Sequence, residues 1–288
     1  RFLMQAFDRT ETAKANEYRK LCSYVDRWGV FVFDVDDPGK EFGLVTTGPA
    51  TTLKIGSGSH LAQSVTYTAS DVLSNAQSLN MVINRDELKW GAVELTRGNL
   101  SFPGADAALT RIRDMAQNAA SYGISPLLIL DYGNSNYGFD IPAGYKGGLV
   151  LDSDEIAGYA NFCSFAVQQV PACSRFELWN EWSLSAGGTT QEKADSAGAS
   201  ATAYANMIRA AYPAIKAVRP EAEVIVGALA EPYWQNTLNS YWFDAFLNTD
   251  FATSCDAVSI HHYNGFMPPE NWHDQLFYVI KKIRAKAP

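Results

Sequence analysis

The sequence has no surplus of positive charge. Lys and Arg total 23 against 31 Asp and Glu, a formal net charge of −8. Nucleic-acid binding depends on Lys and Arg neutralising phosphates, so this balance excludes nucleic acid as a partner. No apolar run reaches the roughly 18 residues that a membrane span needs. The opening residues, Arg1-Phe-Leu-Met-Gln-Ala-Phe7, lack the basic-then-apolar order of a signal peptide and look like the middle of something, which predicts a processed or truncated N-terminus. Cysteine is scarce: Cys22, Cys163, Cys173 and Cys255 show no metal-ligand spacing. Cys163 and Cys173 are close enough to pair across a helix-to-strand turn, as in an oxidising compartment, or Cys163 is core on an apolar helix face. The histidines are His60, His261, His262 and His273. A hydrolytic metal centre draws three or four ligands from strand ends, whereas adjacent His261 and His262 point to opposite faces of a strand, so neither a metal nor a cofactor is expected. A complete Gly-x-Gly-x-x-Gly is also missing: Ile55-Gly-Ser-Gly-Ser-His60 has only its first two glycines, which argues against a dinucleotide site.

What is present reads as a globular chain of 288 residues, 47% hydrophobic and 19% charged, long enough for one large domain with an appended piece. Aromatic residues make up 12%, including 7 Trp and 14 Tyr. Flat apolar faces with polar edges suit sugar rings, although many such rings serve as core.

Residues 1–52 form a β-rich segment and linker in this reading. Residues 30–35 alternate aromatic and aliphatic side chains, Asp36-Asp37-Pro38-Gly39 is a turn, residues 41–47 return, and Gly48-Pro49-Ala50-Thr51-Thr52 links onward. From residue 53 strands alternate with amphipathic helices. Strand-like runs occupy 53–57, 80–85, 126–132, 175–179, 223–228 and 257–261. Helical spacing joins Ala108, Ile112, Met115 and Ala119, then Ile156, Tyr159, Cys163 and Val167, then Tyr204, Ile208, Ala211 and Ile215, and finally Leu276, Phe277, Ile280 and Ile283. Asp152 with Glu155 three residues on is a capping box. Strict alternation with short connections predicts parallel strands and an α/β (β/α)8 TIM barrel over residues 53–288, of which this chain supplies about six strands.

The stretch Phe176-Glu-Leu-Trp-Asn-Glu-Trp-Ser183 concentrates the chemistry. An apolar strand ends there in an amide and a carboxylate, at the strand edge where parallel α/β folds build their sites. Glu181, between Trp179 and Trp182, would be partly desolvated, the state in which a carboxyl keeps a proton and serves as a general acid. A surface salt bridge with both tryptophans as core is the alternative.

Several stretches taken together resemble the clan A retaining glycoside hydrolases, with the nearest likeness to family 39 and related bacterial exopolysaccharide hydrolases. They are Trp90-Gly-Ala-Val-Glu94, Arg97-Gly-Asn-Leu-Ser-Phe102, Pro126-Leu-Leu-Ile-Leu-Asp-Tyr-Gly-Asn134, Leu178-Trp-Asn-Glu-Trp182 and Ala257-Val-Ser-Ile-His-His-Tyr263. The resemblance implies Glu181 as acid/base and Asn180 as partner of the sugar 2-hydroxyl. His261 and Tyr263 would line the pocket floor, and Arg85 would sit beneath the carboxylates, favouring an ionised nucleophile. Tyr132 and Asn134 would reach the sugar, with Trp182 and Trp234 as stacking platforms. His60, ending the first strand, reads as substrate-binding or packing. Asp131 either contacts sugar hydroxyls or holds its loop, and Glu94 is expected in a structural hydrogen bond to loop backbone.

The group's nucleophile is a second Glu on the seventh strand, which is expected beyond Pro288 or on a second polypeptide completing the barrel. Glu231 is the weak alternative within the chain. A carbohydrate partner, endo action and an extracellular or periplasmic location complete the expectation. The rival is a non-catalytic barrel that binds a glycan or a partner protein.

Overall fold

The computed structural model describes residues 54–63, 66–104, 106–137, 152–185, 190–230, 237–261 and 273–287. The expected β-rich segment, Glu231, Trp234 and Tyr263 lie outside them. Among the described residues six strands, β1 (Gly56–Gly58), β2 (Ile83–Lys89), β3 (Ser125–Asp131), β4 (Arg175–Leu178), β5 (Glu223–Ala230) and β6 (Ala257–His261), form one sheet in sequence order. Every neighbouring pair is parallel. The helices that follow them are α1 (Ala69–Ser78), α2 (Ala107–Asn118), α3 (Ser153–Gln169), α4 (Thr190–Val218), α5 (Thr237–Leu247) and α6 (His273–Arg284). This is the strand order of a (β/α)8 barrel with six of its strands in place.

Local chemistry sets the boundaries. Thr68 and Asp71 form a capping box on α1, Asp106 accepts from Ala108 N and Leu109 N at the start of α2, and Asp152 with Glu155 forms the box foreseen for α3. Asn80 takes a left-handed φ of 55° just past α1, so β2 begins later than its sequence suggested and runs through Arg85, Asp86 and Glu87. β1 has almost no side-chain bulk. It is tied to β2 by a polar ladder, Ser57 Oγ to Asn84 Oδ1 at 2.9 Å, Asn84 Nδ2 to Ser59 Oγ at 2.8 Å and Ser59 Oγ to Asp86 Oδ2 at 2.6 Å. A Cβ on Gly56 would meet Ile83 O at 2.7 Å, so the close approach of these strands requires glycine there.

Side-chain alternation separates two layers. Outward residues such as Leu88, Leu128, Leu130, Phe176, Leu178, Val224 and Val258 join Leu73, Ile112, Phe162, Ile208 and Phe243 from the helices in one large core. Inward residues Ile83, Leu127, Ile129 and Ile225 form a second, small apolar cluster. Further along the same inward faces, toward the C-terminal ends of the strands, lie Glu87, Asp131, Glu177, Ser259 and His261, all buried. The barrel interior is therefore apolar at one end and ionic at the other.

Cys163 and Cys173 are both free and fully buried, which corrects the disulfide expectation. Cys163 packs in the helix layer, while the Cys173 thiol donates to Arg175 O at 3.2 Å. Burial pushes both thiols upward, so neither is a ready thiolate. Among the described residues no helix is long and apolar enough to cross a membrane.

Candidate active site

Three strands that are not all neighbours meet at a buried ion pair. Arg85 from β2 gives Nε and Nη2 to Glu177 Oε2 of β4, at 2.6 and 2.5 Å. Ser259 of β6 donates to the other oxygen, Glu177 Oε1, at 2.5 Å. Glu177 has no solvent exposure, so its charge is satisfied entirely by these groups, the condition under which a buried carboxylate persists.

This pair supports the residues above it. Arg85 Nη2 also donates to Asn180 Oδ1 at 2.9 Å, and Asn180 Nδ2 donates to Tyr132 Oη at 3.3 Å. His261 faces Arg85 Nη2 through Nε2 at 3.5 Å and Glu181 Oε1 through Nδ1 at 2.7 Å. A guanidinium only donates, so Nε2 is the accepting nitrogen and Nδ1–H is left to donate to Glu181. Glu181 keeps 21% of its side chain exposed and is a carboxylate within reach of a ligand, held in orientation by a histidine. Burial, then the charge of Asp131, raises the Tyr132 phenol, which therefore remains a neutral hydroxyl.

The backbone here is strained. Trp179 and Glu181 have φ of 69° and 52°, left-handed values on either side of Asn180 that side chains with a Cβ seldom adopt. Next door, β5 shifts register between Val226 and Leu229, with Gly227 at φ 109° and Ala228 at 41°. Gly227 N donates to Tyr204 Oη and Ala228 N to Ser259 Oγ, both at 2.8 Å, so the bulge is fastened to the same serine that caps Glu177.

Thus Glu181, Asn180, Arg85, Tyr132 and His261 come together as one network. Other expected site residues do not join it. His60 lies at the end of β1 and pairs with Glu87. Asn134 is buried, with Nδ2 on Glu94 O and Oδ1 accepting from Asn136 N, each at 2.9 Å, so its amide is spent inside the loop. Trp182 is wholly buried among Trp179 and Tyr204 and donates Nε1 to Ser200 Oγ; it offers no face for stacking. Arg85, expected beneath the carboxylates, contacts Asn180 and His261, and its charge is matched by Glu177. Glu94 holds loop structure through Gly98 N, Trp90 Nε1 and Tyr137 Oη. Asp131 is fully buried and makes no side-chain hydrogen bond among the described residues. Burial, then the negative charge of Glu87, raises it well above the carboxylate range.

Sequence reasoning passed over Glu177, Ser259, Glu87 and Lys89. A signal existed for the acids: Glu177 interrupts an apolar strand four residues before Glu181, and Glu87 follows Arg85 at the two-residue period of an inward face.

No family model and no curated protein matches the chain. Solved structures do. A family 39 glycoside hydrolase from Bacteroides cellulosilyticus WH2 is 19% identical with a TM-score of 0.54, over 75% of this chain and 41% of that one. A monomeric β-xylosidase from Caulobacter crescentus CB15 is 17% identical with a TM-score of 0.55, over 81% and 50%. An exo-β-1,4-mannosidase from Opitutaceae bacterium strain TAV5 is 18% identical with a TM-score of 0.55, over 82% and 44%. The match spans half or less of each of these three solved chains. At such identities the likeness shows the fold, and the fold of this chain is a partial (β/α)8 barrel of the kind those three hydrolases share.

Proposed function

We propose that the protein is a glycoside hydrolase working by double displacement with retention, with Glu181 as its acid/base. The observation that carries this reading is Glu181 itself: a partly exposed carboxyl at the C-terminal end of β4, aligned by His261 and set beside an amide that Arg85 holds. The glycosidase titles of the three neighbours fit it. Glu181 would protonate the departing glycosidic oxygen while a nucleophilic carboxylate attacks the anomeric carbon. Glu181 would then take a proton from water, whose oxygen displaces that carboxylate. The nucleophile, a Glu about 5 to 5.5 Å from Glu181, belongs on a stretch beyond Pro288 in this proposal. The substrate is a polysaccharide cut internally, met outside the cell or in the periplasm.

The test uses the full-length protein and its Glu181→Ala variant on aryl glycosides. With an activated leaving group the first step survives and the second stalls, and added azide restores turnover as a glycosyl azide of retained configuration. Wild-type inversion, or a variant with undiminished activity on an unactivated glycoside, would refute the assignment. Products consisting only of terminal monosaccharides would remove the internal cut. Glycan binding with no turnover in the wild type would leave a binding barrel.

A further inference from the structure

The inward face of β2 continues past Arg85 into a charged group that takes no part in holding Glu181. Glu87 lies almost buried and gathers three donors. Lys89 Nζ stands 3.1 Å from Oε2, Gln63 Nε2 3.3 Å from the same oxygen, and His60 Nδ1 3.5 Å from Oε1. The carboxylate lies beneath and the cations lie outward: the His60 side chain is 57% exposed and that of Lys89 29%, against 9% for Glu87. Burial opposes the Glu87 charge, but the His60 hydrogen bond and the Lys89 charge outweigh it and hold this carboxyl at about 2. One carboxylate thus serves the Lys89 ammonium and the His60 imidazole, whose hold on a proton the Glu87 hydrogen bond raises. Asp131 pairs in register with Lys89, but neither of its carboxyl oxygens makes a hydrogen bond among the described residues, and burial raises it well above its usual value, so Glu87 is the carboxylate that Lys89 engages. The group borders the acid/base. Lys89 Nζ lies 6.0 Å from the Tyr132 ring centroid, and Tyr132 Oη meets Asn180 next to Glu181.

We propose that Lys89 and His60 form a subsite for a sugar carrying an anionic group, a uronic acid being the carboxylate form, on the β1–β2 wall of the Glu181 cleft. This rests on the glycoside hydrolase reading above and names its substrate class. The ammonium of Lys89 has three donors, of which Glu87 engages one, leaving two to point at a ligand carboxylate. Overall the protein is anionic, with a net charge of −8, so attraction of an anion must come from a local surplus of this sort.

The probes are β-1,4-linked glucuronic acid oligosaccharides and cello-oligosaccharides of equal length, which differ only in the carboxylate at C6. Binding is measured by calorimetry on the full-length protein in a Glu181→Gln background, so that hydrolysis does not consume the ligand. The expected result is a preference of about tenfold for the glucuronic acid series, the size of one charge-assisted contact. Lys89→Gln abolishes it, His60→Gln weakens it, and Lys286→Gln on the far surface leaves it unchanged. Glu87→Gln acts in the opposite direction and tightens the acidic ligand, because it removes the competing anion. Equal binding of both series, or a preference that survives Lys89→Gln, overturns the subsite while leaving a glycan cleft. Binding of neither series overturns it together with the polysaccharide reading.

Discussion

Replacing Glu177 with Ala would leave the Arg85 guanidinium, 6% exposed, without its countercharge and leave Ser259 Oγ only the longer contact to Val226 O at 3.4 Å. Breaking a buried pair by removing one partner costs about 3 to 5 kcal/mol, a large part of the roughly 5 to 15 kcal/mol that a domain has in total. Removing both charges is a different perturbation. Arg85→Met with Glu177→Leu fills the same space with apolar atoms and strands no charge, so the double variant is expected to recover most of the loss. Urea unfolding of the wild type, both single variants and the double variant checks this, with tryptophan fluorescence as the signal because Trp90, Trp179 and Trp182 are all buried. A Glu177→Ala loss below about 1 kcal/mol, or a double variant no better than its worse single parent, would refute the assignment of this pair as the ionic centre of the barrel. Activity behaves otherwise: the double variant loses the donor to Asn180 and should stay impaired although it is stable.

Glu87→Gln tests the second charged group. Its folded carboxyl is depressed to about 2, so its contribution is present above the unfolded value near 4.3 and disappears as pH falls through 2. Allowing for solvent screening, the variant should lose roughly 2 kcal/mol at pH 6, and the gap to wild type should narrow steadily in urea titrations toward pH 3. Gly227→Ala combines a φ of 109° with a Cβ placed 2.7 Å from Ser259 O, and thermal denaturation should show a loss of about 2 kcal/mol or more. Trp182→Ala should cost about 3 to 5 kcal/mol, with glycan affinity following the folded fraction alone, because the ring is core. Cys163 and Cys173 should resist alkylation in the native protein and both react once it is unfolded, with no reductant needed.

The sequence displayed its barrel through period and order. Apolar runs marked β3 to β6 to within a few residues, and the helix faces carrying Ile112, Cys163 and Ile208 are the buried ones. β1 and β2 were harder, since a Gly-Ser-Gly strand secured by hydroxyls and a strand containing Arg85, Asp86 and Glu87 do not look apolar. Of the site, residues that end strands could be read from the strand pattern, as with Asn180, Glu181 and His261. Residues acting across the barrel could not. Glu177 and Ser259 stand 82 positions apart, and nothing local in either stretch announces that they share a hydrogen bond. Trp182 shows the opposite failure: an aromatic next to a candidate acid invites a stacking role, and only packing reveals that it faces the helices.

The left-handed turn at Glu181 sets chemistry against backbone preference. Asn and Gly accept a φ of 52° far more readily than glutamate does, so Glu181→Asn or Glu181→Gly should relieve the main chain while discarding the carboxyl. An inert protein that melts higher than its parent is the expected product. Under the proposed reading, drift toward greater stability at this position would erase the acid, because the φ of 52° there favours residues that carry no carboxyl.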